Sequence, residues 1–93
     1  MTKISVSDGD EYRVMLEGHA TGSEIVCAGL SAISLTLAGY LESIDVEVIK
    51  FEECDGFVEI IWRGGVEARC AYDMARCGYW LMSREYPEYC CIT

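Results

Sequence analysis

Basic residues are scarce in this chain. Seven Lys and Arg stand against sixteen Asp and Glu, a formal net charge of −9. Binding to nucleic-acid phosphates depends on concentrated Lys and Arg, so a nucleic-acid ligand is excluded as a leading reading. An acidic surface attracts a basic protein or peptide, and it also keeps a small apolar domain soluble. There is one histidine, His19, and the six cysteines contain no CxxC pair. Without a second imidazole or a paired-thiol motif, no zinc-finger pattern can be completed, and neither a metal nor a cofactor is expected. No apolar run is read as long enough to cross a bilayer, so no membrane association is expected. The opening MTKISVSDGDE has no signal-peptide apolar region. The expected compartment is therefore the cytoplasm, where the cysteines stay reduced thiols rather than a disulfide framework. There are no internal repeats, low-complexity segments or linkers, and the only proline is Pro87.

What remains is a chain of 93 residues, 52% of them hydrophobic, which is enough for one core of two packed layers. The chain is read as a single domain over residues 1–93. Ile4 and Val6 alternate as a first strand, Asp8-Gly9-Asp10 supplies a turn, and Tyr12, Val14 and Leu16 alternate as a second strand. After a short loop, Ser23 or Thr21 is positioned to cap a helix over about Glu24 to Glu42. Its apolar face is Val26, Leu30, Ile33, Leu37 and Leu41, and Ala28, Gly29, Ser31, Ala32, Ala38 and Gly39 permit close packing. Strands over Asp45–Glu52 and Phe57–Trp62 flank Asp55-Gly56, a strong hairpin signal. A second helix runs from about Val66 to Glu85, with Val66, Cys70, Met74, Cys77 and Leu81 as its buried stripe. Tyr72, Tyr79 and Trp80 then fall off that stripe, as further core or as a homodimer interface. The order ββαββα predicts an α+β domain: an antiparallel four-stranded sheet with two helices packed on one face.

Chemistry concentrates in Gly18 to Ser34. His19 ends a strand, and Cys27 falls in the first turns of the long helix. Glu24 and Ser31 flank that cysteine at helical distances. The thiolate is the nucleophilic form of cysteine, and a helix N-terminus and a neighbouring imidazolium both favour it. An imidazole beside the sulfur can then return a proton to a leaving amine, and N–H groups of the first turn can serve an oxyanion. Each residue also has a plainer reading: Cys27 as a small buried hydrophobe, His19 as a surface residue, Glu24 as a first-turn acid, Ser31 as packing. Cys54, Cys70, Cys77, Cys90 and Cys91 are read as structural. The ending Cys90-Cys91-Ile92-Thr93 imitates a prenylation box but lacks a usual last residue and a polybasic approach.

Gly18-His19-Ala20, a short gap, and Glu24-Ile25-Val26-Cys27-Ala28-Gly29-Leu30-Ser31 resemble the ribosomal-processing cysteine protease family Prp. That family carries G-H-A, a flexible loop and D-[IV]-V-C-A-A-x-S at the start of its long helix. The resemblance implies a homodimeric peptidase with a Cys–His dyad, here Cys27 and His19, supported by Glu24 and Ser31. Gly18, Ala20, Thr21, Gly22 and Ser23 would belong to the substrate-binding loop. The implied substrate is the precursor of large-subunit ribosomal protein twenty-seven, which loses an N-terminal extension. Two departures matter: the loop is several residues shorter than in well-known members, and Glu24 replaces an aspartate. The alternative is a non-catalytic module that keeps the cleft and binds a ribosomal or other basic protein.

Overall fold

The computed structural model describes residues 1–19 and 23–93. Strands β1 (Thr2–Ser7) and β2 (Tyr12–Glu17) lead to helix α1 (Glu24–Ser43). Strands β3 (Glu47–Cys54) and β4 (Phe57–Arg63) follow, then helix α2 (Val66–Glu85) and a short strand β5 (Cys90–Ile92). The sheet order is β3-β4-β2-β1-β5, antiparallel except where β5 lies parallel to β1. The expected α+β fold is therefore present, but with five strands in a mixed sheet rather than four antiparallel ones. The extra strand covers what would be an open edge of β1, where unpaired N–H and C=O groups invite other chains. Thr2 N–H donates to the Tyr89 carbonyl at 2.9 Å, and Thr93 N–H donates to the Ile4 carbonyl at 2.8 Å. Cys90 enters the core fully buried, and burial pushes its thiol up from the ordinary range. The cysteine tail is thus a structural strand.

Alternation along the strands sends Ile4, Val14, Leu16, Ile60 and Trp62 to the face that the helices cover. From α1, Val26, Leu30, Leu37 and Leu41 are buried on that face as the periodicity predicts, with Ser34 in line and Ile33 at its margin. Each such fully buried aliphatic side chain stabilises the fold by roughly 1.5–3 kcal/mol. Helix α1 is also long and apolar enough by length and composition to cross a membrane, contrary to the expectation that no run reaches that length. Here one stripe of it packs into the core, while Ile25, Leu35 and Tyr40 on other sides are exposed.

The second helix has the predicted limits but turns a different face inward. Ala68, Ala71, Tyr72, Ala75 and Tyr79 are buried, whereas Val66, Cys70, Met74, Cys77 and Leu81 are exposed. The reason is volume. Tyr12 and Trp62 already fill the space above the sheet and stack with Tyr72 at ring separations of 5.3 and 6.4 Å. Tyr72 joins these rings, and Ala68, Ala71 and Ala75 beside it let the helix approach closely. Gly78 likewise admits Ile33 of α1, since a Cβ there would stand 3.2 Å from that side chain. Tyr79 is fully buried, and its hydroxyl pairs with Ser34 at 2.7 Å while Ser34 Oγ donates to the Leu30 carbonyl. Burial pushes the Tyr79 hydroxyl up to about 12. Of the three aromatics placed off the stripe, only Trp80 is exposed.

On the opposite face of the sheet Glu59 is buried beneath Arg13 and Lys50. Arg13 Nε donates to one carboxylate oxygen at 2.7 Å and Lys50 contacts the other. The Lys50 and Arg13 hydrogen bonds hold the Glu59 carboxyl below the usual glutamate range. A depressed carboxyl contributes stability that is present above its unfolded value, about 4.3, and lost as pH falls through the folded value. Urea midpoints should therefore fall with acid more gently in Glu59→Gln than in the native sequence, the two converging only once pH is below the folded Glu59 value.

Candidate active site

The end of β2 and the start of α1 come together at one end of the sheet. Gly18 makes the exit from β2 with φ +89°, and a Cβ there would stand 2.6 Å from the Met1 carbonyl oxygen. Only glycine fits that backbone and that space. Gly18 N–H donates to the Gly56 carbonyl at 2.8 Å, and Thr2 Oγ1 donates to the Gly18 carbonyl at 3.3 Å. His19 follows directly, exposed on the cleft side of this tie.

Helix α1 begins at Ser23, the nearer of the two expected caps. Its backbone is extended (φ −140°, ψ 102°) and its Oγ accepts from Val26 N–H at 3.2 Å. The Ser23 carbonyl accepts from Cys27 N–H at 3.2 Å, closing the first helical bond. Cys27 thus lies one turn into the helix, half-buried, on the side that borders the core. Thr21, the other expected cap, lies outside the described residues, as do Ala20 and Gly22.

A cleft of about 270 Å³ holds the predicted site. His19 and Gly18 line it from β2, Cys27 and Ser31 from α1, and Glu53, Cys54, Asp55 and Gly56 from the β3–β4 hairpin. Leu16, Leu30, Leu35, Phe57 and Val58 supply apolar walls, and Thr2 and Ser34 add hydroxyls. The volume suits one or two substrate side chains. The structure therefore brings together His19, Cys27, Ser31 and Gly18. Glu24 is not among the lining residues: it is exposed in the first turn of α1, where a carboxylate complements the helix dipole.

Among the described residues the carboxylate beside the imidazole is instead Asp55, with Oδ1 3.4 Å from His19 Nε2. Sequence reasoning read Asp55 only as a turn residue. Thirty-six positions separate it from His19, and the pairing of β2 with β4 closes that distance. Cys54 is the last residue of β3 rather than part of the turn, and it also borders the cleft. No cluster of His, Cys, Asp and Glu suited to a metal ion occurs among the described residues.

The family model described as "Cysteine protease Prp" matches residues 1–91. The essential ribosomal processing protease Prp of S. aureus, solved with a covalently linked product peptide, is similar at 21% identity. Its TM-score is 0.88, covering all of this chain and 98% of that one. The SMU.848 protein of Streptococcus mutans is similar at 22% identity, with a TM-score of 0.78 over all of this chain and 92% of that one. No curated protein matches the sequence at a significant level.

Since Gly18 sets both the turn and its approach to Met1, Gly18→Ala should destabilise the fold by more than about 1 kcal/mol. Urea titration measures the loss, and a midpoint equal to the native one would contradict this account of the β2 exit.

Proposed function

Given that the chain belongs to the cysteine protease Prp family and is a cysteine protease, we propose that Cys27 is its nucleophile and His19 its acid–base partner. The observation that carries this reading is their convergence: a strand end and a helix start place both side chains on one cleft, flanked by Ser31. Cys27 Sγ loses its proton to the imidazole, and the thiolate adds to the scissile carbonyl of a bound peptide. The imidazolium then protonates the leaving amine as the tetrahedral adduct collapses to a thioester. Water, deprotonated by the same imidazole, hydrolyses the thioester and frees the thiol. Val26 and Cys27 N–H groups are engaged by Ser23, and N–H groups of the helix's first turn serve the oxyanion. Ser31, one turn beyond Cys27, donates to the sulfur or to the substrate.

The substrate we propose is a basic ribosomal protein precursor, large-subunit protein twenty-seven with its N-terminal extension, trimmed in the cytoplasm. The S. aureus relatives, described as ribosomal processing proteases bound to substrate and product peptides, support this choice. So does charge: Glu53 and Asp55 stand at the cleft of a chain whose net charge is −9. Incubated with that precursor, the native protein should release the extension. Cys27→Ala and His19→Ala should each lower the rate at least about 10³-fold. Cleavage that survives both substitutions would overturn the dyad.

We also propose a homodimer. The groove between the helices exposes Met74 and Tyr40 beside Ile33, Ala32 and Cys70, a continuous apolar strip. Sedimentation should give twice the chain mass of 10.4 kDa, and Met74→Glu should return it to the single-chain value. An unchanged dimer in that variant would place the interface elsewhere.

A further inference from the structure

Three contacts meet at the two-residue turn between β3 and β4. The Gly56 carbonyl accepts from Gly18 N–H, fixing the strand end that carries the histidine. The His19 ring lies against Gly56 so closely that a Cβ there would stand 2.9 Å from Nε2 and 3.3 Å from Cδ2. Asp55 Oδ1 stands 3.4 Å from the same Nε2. One turn thus anchors the residue before the histidine, supplies the surface under its ring and sets a carboxylate oxygen 3.4 Å from one of its two nitrogens. We infer that Asp55-Gly56 is the positioning element of the imidazole, with Asp55 as the orienting carboxylate. This rests on the reading of His19 and Cys27 as the dyad.

The chemistry gives such a group a use. When an imidazole exchanges a proton with sulfur at one nitrogen, a hydrogen bond at the other selects the tautomer that leaves the first free to accept. With Nε2–H turned to Asp55, the neutral ring keeps its lone pair on Nδ1. The Cys27 proton then moves to Nδ1, giving thiolate and imidazolium, and later passes from Nδ1 to the leaving amine. Asp55 neither gains nor loses a proton. In open water the pull of its exposed carboxylate is weak, and a peptide lying across the cleft excludes water and strengthens it. Gly56 has φ +74° and no Cβ, so the turn can form and the ring can seat on it at the same residue.

Because the chain has a single histidine, its ring gives one unambiguous set of ¹⁵N resonances. The test compares native protein with Asp55→Ala, Asp55→Asn and His19→Ala, reading those resonances and the rate at which iodoacetamide alkylates Cys27 at pH 6.5. Asp55 is almost fully exposed, so its variants keep the fold, and melting curves check this. Asp55→Ala should slow Cys27 alkylation about tenfold and move the histidine resonances toward a mixture of tautomers. Asp55→Asn, whose amide oxygen still accepts from Nε2–H, should remain within about threefold of the native rate with native-like resonances. His19→Ala should slow alkylation at least as much as Asp55→Ala. Native rates and resonances in Asp55→Ala, with His19→Ala slow, would overturn the role of Asp55 and leave the dyad standing. Native rates in both Asp55→Ala and His19→Ala would overturn the dyad and the positioning role together.

Discussion

A single backbone hydrogen bond, from Gly18 N–H to the carbonyl of Gly56, joins the exit of β2 to the turn between β3 and β4. The cleft is built around it. On one side the chain leaves β2 in a conformation that only glycine adopts and presents His19. On the other, the turn presents Gly56 and Asp55 against that ring. The ladders hold β2 as far as Glu17, between Lys3 and Phe57, and this bond extends the tie to the residue that precedes the histidine.

The helix supplies the second half of the site by a separate device. Ser23 uses its side chain on Val26 and its carbonyl on Cys27, and so sets where α1 begins and which residue lies one turn inside. The core fixes the helix's rotation, since Val26 and Leu30 must face the sheet. Cys27 and Ser31, one residue further round from each, then fall on the border between core and cleft. Tyr79 and Ser34 tie α2 to the same helix, so α1 is held from two sides near the sulfur. A sheet, a capped helix and a glycine turn together bring His19, Cys27 and Ser31 to one cleft.

Much of this was legible from residue order alone. The alternation of Tyr12, Val14 and Leu16, the three- and four-residue recurrence along α1, and Asp55-Gly56 between two β-branched runs are local signals, and the elements formed where they point. Three features were not local. Strand β5 is three residues whose only reason to be extended is the vacant edge of β1. The inward face of α2 was ambiguous because Val66-Cys70-Met74-Cys77-Leu81 and Ala68-Ala71-Tyr72-Ala75-Tyr79 repeat with the same helical period. The rings of Tyr12 and Trp62, brought in by other strands, decided for the face that carries Tyr72 and the alanines. Asp55 reaches His19 only through the sheet, so spacing along the chain favoured Glu24, five positions away, over the carboxylate that the fold brings near.

The central claim is that one imidazole and one thiol act on the same bound peptide. The most direct measurement is a crystal structure of the protein treated with a peptide aldehyde that traps the nucleophile. The account predicts a covalent bond from the peptide carbon to Cys27 Sγ, with a ring nitrogen of His19 within about 3–3.5 Å of the reacting atoms. A peptide bonded to another cysteine, or to Cys27 with the His19 ring turned out of the cleft, would contradict it.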